Sequence, residues 1–214
     1  MPSSYPLAIK SLSGLTLGDH VGYFCSNPEQ WRTHIQSFFW EGVQENHHCL
    51  YLNDLFTRDQ VFALLRSRNL DAHALQQEGQ ITILPVTWFW KKTGWPDMEV
   101  LGQRLSHFCR LCQGRGFEAL RLMVDMSWAA TSQLHEELLM AFEDLINQVL
   151  LPRQFLLVVC QFDRALFSPR LLSLVKQKHP LLVDSAEGFS SDRKAPGWIP
   201  GIAAGEFHGA VMRG

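Results

Sequence analysis

The chain has 214 residues, 46% of them hydrophobic and 19% charged, with 19 Lys and Arg against 21 Asp and Glu for a formal charge of -2. That length fits one well-buried domain, and the composition excludes the disordered class; the balanced charge, with no basic block, disfavours a nucleic-acid or anionic-membrane binder. No apolar stretch reaches the roughly 20 residues of a membrane span, the N-terminus lacks the regions of a signal peptide, and five scattered cysteines fit reduced core thiols, so the chain reads as cytoplasmic.

Taken in chain order, residues 1–17 read as an N-terminal extension, and Val21 to Phe24 as a buried strand ending in a Ser-Asn-Pro turn. Asn27 is the expected N-cap of a helix with Pro28 at its first position, and Trp31, Ile35, Phe38, Phe39 and Gly42 share its inner face. A second strand, Cys49 to Leu52, leads through Asn53-Asp54 to a helix from about Thr57 and a further helical turn over 71–77. Ile81 to Leu84 is a third strand, followed by the aromatic loop Thr87 to Trp95 and a helix opened by Pro96-Asp97 and stopped at Gly114 to Gly116. The strand Leu120 to Val124 ends at Asp125, a helix covers about 132–149, and the strand Phe155 to Cys160 ends at Gln161-Phe-Asp-Arg164. Ser168-Pro169 opens a last helix before a final strand, Leu181 to Val183, and residues 184–214 read as a Gly/Pro-rich tail or linker.

Strands that are apolar on both faces and alternate with helices call for an α/β fold: a mostly parallel central sheet with helices on both faces. Ligands of such sheets bind outside the carboxyl ends of the strands. Those ends carry Cys25 and Asn27, Asp54, the aromatic loop with Trp88, Asp125 and Trp128, and Gln161, Asp163 and Arg164. Aromatic faces beside a few polar groups suit a small-molecule pocket. A phosphate-binding loop would be Gly-rich and end in Gly-Lys-Ser/Thr; Cys25 to Trp31 has neither Gly nor Lys, a Pro removes one donor, and Glu29 repels phosphate.

The motifs Leu17-Gly-Asp-His-Val-Gly-Tyr-Phe24, Phe39-Trp-Glu-Gly-Val43, His48-Cys-Leu-Tyr-Leu52, Leu122-Met-Val-Asp-Met-Ser-Trp128, Val159-Cys-Gln-Phe-Asp-Arg164 and Lys178-His-Pro180 occur in this order. Together they resemble the MEDS domain, the methanogen/methylotroph DcmR-like sensory domain, over residues 18–183. The resemblance implies a RecA/KaiC-like fold without a phosphate loop. It also implies a small-molecule sensory or regulatory module, with hydrocarbon derivatives among the proposed ligands, acting on a regulatory partner such as a kinase or transcription factor. Neither ATP hydrolysis nor a cofactor is expected, and self-association as a homodimer is compatible with it. The alternative is a protein–protein interaction module with a degenerate nucleotide site.

Single residues carry blander readings beside these. Asp125 stands where an ATPase would hold magnesium, but without a phosphate loop pocket or structural hydrogen bonding is the better account. Asp163-Arg164 fits a local ion pair as well as ligand or partner recognition. His20, His47, His48 and Cys49 do not make a metal set, because adjacent strand residues point to opposite faces; His20 is either a structural hydrogen-bonding residue or a ligand contact, and no metal is expected. Cys109 and Cys112 lie near the end of a helix, where the dipole does not activate a thiol, and are expected to be inert. No G-x-S-x-G elbow supports a hydrolase, so no catalytic residue is assigned.

Overall fold

Alternation with period two is what the strands obey. In the computed structural model, which describes residues 7–9, 11–89, 97–130, 133–147 and 155–184, they form one seven-stranded sheet, parallel throughout. The strands are β1 (Leu7–Ala8), β2 (His20–Cys25), β3 (His48–Asn53), β4 (Ile81–Pro85), β5 (Leu120–Asp125), β6 (Leu156–Asp163) and β7 (Leu181–Asp184), in the order β1-β7-β2-β6-β5-β3-β4. The helices are α1 (Pro28–Gln44), α2 (Arg58–Arg66), α3 (Ala72–Gln77), α4 (Met98–Gly114), α5 (Gln133–Leu145) and α6 (Pro169–Lys178).

Each face of the sheet has its own core. Leu157 and Val159 of β6 point to one side, where Tyr23, Tyr51, Met123, Ile35, Phe38 and Val61 pack beneath α1, α2 and α3. Leu156, Val158, Cys160 and Phe162 point to the other, where Leu50, Leu122, Val124, Leu101, Phe142 and Val175 pack beneath α4, α5 and α6. Caps set the helix starts: Asn27 accepts from the Gln30 amide, Thr57 and Gln60 form a reciprocal capping box, and Ser168 accepts from the Leu171 amide.

The expected strands and helices are all present, and Phe38, Leu122, Val124, Leu157 and Val158 are fully buried. Three features differ. Leu7–Ala8, within the stretch read as an extension, pairs with Leu181 and Leu182 as an edge strand, and Leu12 and Leu15 join the core. The strand expected to stop at Cys160 runs on to Asp163, because its last residues pair with Tyr23 to Cys25. Inside β5, Arg121 is fully buried: it ion-pairs with Glu41 and Glu45, donates to the Phe38 carbonyl at 3.0 Å, and lies over the Phe38 ring. A Cβ on Gly42 would stand 2.4 Å from Cys49 Sγ and 2.9 Å from Arg121 Cδ, so only glycine lets α1 approach this cation. Trp90, Trp95, the ends of the helix expected over 132–149 and the tail from 185 fall outside the described residues.

Leu157→Ala removes a side chain packed between β6 and the α1 layer, and is expected to cost about 2–5 kcal/mol in urea unfolding. Leu111→Ala, at an exposed position on α4, is expected to change stability by no more than about 0.5 kcal/mol.

Candidate functional site

The parallel sheet aligns the carboxyl ends of β2, β6, β5 and β3 side by side, with Cys25 opposite Asp163 and Asp125 opposite Gln161. Cys25, Asp54, Asp125, Gln161 and Asp163 therefore come together along one rim, as expected from the sequence. What they do there differs from residue to residue.

Asp125 is almost fully buried and holds the rim closed. Its Oδ2 accepts from the Leu55 amide at 2.9 Å and the Asp54 amide at 3.4 Å, tying β5 to the turn after β3. Its Oδ1 accepts from the Ser127 amide at 3.1 Å and lies 2.7 Å from Ser127 Oγ, which is also 2.9 Å from Asp54 Oδ2. One hydroxyl proton thus stands between two carboxylates. Burial pushes the Asp125 carboxyl above its usual range, and the bonds from Leu55 and Ser127 oppose that shift.

The start of α1 is closed in the same manner. Asn27 Oδ1 accepts from the Gln30 amide at 2.9 Å, and Gln30 Oε1 accepts from the Ser26 amide at 3.0 Å. Two amides at this helix start, those of Ser26 and Gln30, are thus turned to the chain's own side chains instead of outward to an anion. Cys25 points inward, 3.4 Å from the Phe162 carbonyl, and burial pushes its thiol up to about 12. Asp163 accepts from the Ala165 amide, and Arg164 pairs with Asp184, which Lys176 also approaches at 2.8 Å.

On the α1 side of the sheet beneath this rim, the Tyr23 hydroxyl and Gln161 Oε1 are buried without a hydrogen-bond partner among the described residues, and the buried Tyr51 hydroxyl on the same face meets the Trp31 side chain. Tyr23 and Gln161 are register partners on β2 and β6. The Tyr51 hydroxyl is electrostatically coupled to Asp125, Cys25 and Asp54, and it is near Trp31, whose Nε1 is buried without a well-aligned acceptor. Burial raises both tyrosine hydroxyls far above their ordinary value, so they are neutral donors. A buried hydroxyl or amide left unpaired costs about 1–3 kcal/mol, and such groups are the natural contacts of a bound polar molecule. Trp31 stacks on Phe56 and also lines an outer groove of about 480 Å³ between α1 and α2.

The other expected contacts lie elsewhere. Trp128 is turned into the α5 core against Phe89 and Phe142 and is 3% exposed, because it follows Asp125 in a 3-10 turn that folds back onto the sheet. Trp88 is half-buried on α4, edge-on to Phe108 and beneath Arg104. His20 starts β2, away from the carboxyl rim, on the face covered by α5 and α6. His48 is wedged between Phe108 and Phe117 with Nδ1 on the Gly79 carbonyl, while Cys49 faces the opposite core, so these two do not share an ion. Cys112 is buried, and its thiol is pushed up to about 12. Among the described residues, one group of His, Cys and carboxylate side chains is close enough to hold an ion: His20, Glu143, Cys160 and His179.

Sequence reasoning missed Tyr23, Tyr51 and Trp31 as site residues, although two tyrosines in fully buried strands are themselves a signal, since a buried phenol needs a partner. The model of the MEDS family, described as MEthanogen/methylotroph, DcmR Sensory domain, matches residues 19–180. Among solved structures, a KaiC-like protein from the hyperthermophilic archaeon Pyrococcus horikoshii superposes with a TM-score of 0.52 at 12% identity, covering 76% of this chain and 69% of that one. No curated protein matches the sequence.

Asp125→Ala strands the Leu55 and Ser127 amides and is expected to cost about 3 kcal/mol of unfolding free energy. Tyr23→Phe removes a hydroxyl without a hydrogen-bond partner among the described residues instead. In ligand-free protein it is expected to leave stability unchanged or raise it by about 1 kcal/mol, measured by urea denaturation.

Proposed function

We propose, since the chain belongs to the MEDS family of sensory domains, that it is a small-molecule sensory or regulatory module that works by binding and does not hydrolyse ATP. The observation that carries this reading is the contrast at one end of the sheet. The groups that would serve a nucleotide, the Ser26 and Gln30 amides and Asp125, are already bonded to the chain, whereas the Tyr23 hydroxyl and Gln161 Oε1 are buried without a partner among the described residues. A small molecule with one or two polar atoms on an apolar body suits that environment, because the aromatic walls bury the body and the orphaned groups orient its polar atoms. Short hydrocarbon derivatives are of this kind.

In this reading the groove lined by Trp31 and Phe56 is the route inward, because the same indole meets the Tyr51 hydroxyl. Displacing the Trp31–Phe56 stack would couple occupancy to the start of α1 and α2. A ligand that binds the displaced state more tightly shifts the population toward it, and a regulatory protein partner reads that state.

Millimolar ATP with magnesium is expected to leave the melting temperature nearly unchanged and to show no turnover above background. A shift of several degrees, or turnover lost in Asp125→Ala, contradicts the reading. In a thermal-shift panel of short-chain alcohols, amines and halides, any stabilising compound is expected to bind Gln161→Ala at least tenfold more weakly, about 1.4 kcal/mol.

A further inference from the structure

Far from the carboxyl rim, the α5 side of the sheet brings four buried polar side chains together from separate parts of the chain. His20 opens β2, Cys160 lies in β6, Glu143 comes from α5 and His179 from the turn before β7. The side chains of His20, Glu143 and His179 are fully buried, as is Cys160. Burying a carboxylate beside three further polar groups with few donors among them is costly, and a bound cation would offset that cost.

The imidazoles show which atoms are offered. Asn147 Nδ2 donates to the Lys178 carbonyl at 2.9 Å, which fixes the amide so that its Oδ1 stands 2.9 Å from His20 Nδ1 and accepts that proton. His179 Nδ1 donates to the Val175 carbonyl at 2.7 Å. In both rings Nδ1 carries the hydrogen and Nε2 is left as a bare lone pair. Both Nε2 atoms lie 3.3 Å from Glu143 Oε2, and His20 Nε2 lies 3.3 Å from Cys160 Sγ. Glu143 faces the Cys160 thiol, and among the described residues His179 Nε2 has no hydrogen-bond partner. Four electron-pair donors thus converge where hydrogen-bond donors are scarce.

The spacing is that of a coordination shell. A tetrahedral ion with bonds of about 2.0–2.3 Å holds its ligand atoms about 3.3–3.8 Å apart. Three of the cluster's separations are 3.3 Å, and all four donor atoms lie within 4.8 Å of one another. The Asn147 and Val175 oxygens behind the two imidazoles act as the outer partners that metal-bound histidines have. A Cβ on Gly22 would stand 3.0 Å from His179 Cγ, so the glycine of β2 is the space in which this ring lies.

The geometry points to a buried tetrahedral site for a zinc-class divalent transition-metal ion, coordinated by His20 Nε2, His179 Nε2, Glu143 Oε2 and Cys160 Sγ. Two neutral imidazoles, a carboxylate and a thiolate carry two negative charges, which a dication cancels. Thiolate and imidazole donors select against magnesium and calcium, which take oxygen. With four protein ligands and no open position, the ion would clamp α5 and the α6–β7 turn onto β2 and β6. This site stands apart from the rim, and its failure would leave the sensory reading untouched.

Metal-depleted full-length protein titrated with cobalt(II) is expected to take up one equivalent. The spectrum should show tetrahedral d–d bands and a thiolate-to-cobalt charge-transfer band, and zinc should displace both. Cys160→Ser should lose the charge-transfer band, while the double variant Cys109→Ser/Cys112→Ser keeps it. Asn147→Ala, outside the ligand set, should weaken zinc at least tenfold. The site is refuted if the wild-type chain, refolded with cobalt, binds none stoichiometrically, if the band survives in Cys160→Ser, or if Asn147→Ala binds zinc with unchanged affinity.

Discussion

A parallel sheet covered by helices on both faces exposes its strand ends and little else, so what happens at the carboxyl end decides what the domain can do. Here that end is drawn shut by one buried carboxylate. Asp125 gathers the Leu55 and Ser127 amides, and with them the turns after β3 and β5, into a single hydrogen-bonded knot. The frame resembles that of a KaiC-like protein, and in this chain Asp125 is a structural acceptor. The start of α1 is capped by Asn27 and Gln30 in the same spirit. Beneath that surface lie the Tyr23 hydroxyl, without a hydrogen-bond partner among the described residues, and the Tyr51 hydroxyl, which meets Trp31.

Two further constraints hold the layers in register. Arg121 fills the α1 face with a buried cation that only Glu41, Glu45 and a glycine at position 42 make tolerable. Replacing one partner of such a group costs far more than the pair contributes, so the arrangement fixes the approach of α1 more than it adds stability. On the other face the His20, Glu143, Cys160 and His179 cluster sets α5 against the sheet at a comparable depth.

Much of the architecture was legible because local signals coincided: Asn27-Pro28 and Ser168-Pro169 start helices, and apolar runs such as Val21 to Phe24 are buried on both sides. The edge strand Leu7–Ala8 was not, since two residues have no periodicity and their pairing with β7 is decided by distant chain. Arg121 was hidden inside an apolar run, its partners lying on a helix that precedes it by some eighty residues. At the site, the strand-end rule located Cys25, Asp125 and Gln161, but it could not tell that Trp128 folds inward, because a 3-10 turn sets that direction. The histidine cluster was invisible for a related reason. His20 was weighed against His48 and Cys49, near in sequence, while its neighbours Cys160, in β6, and His179, in the turn before β7, are brought beside it only by the sheet order.

The central proposal is that this RecA-like frame binds a small ligand in place of a nucleotide. Native mass spectrometry of the full chain purified from its own host tests this most directly. The account predicts spectra without an adenine nucleotide, any organic adduct being a smaller molecule that Gln161→Ala no longer retains. A stoichiometric ADP or ATP adduct, displaced by added nucleotide and lost in Asp125→Ala, would contradict it.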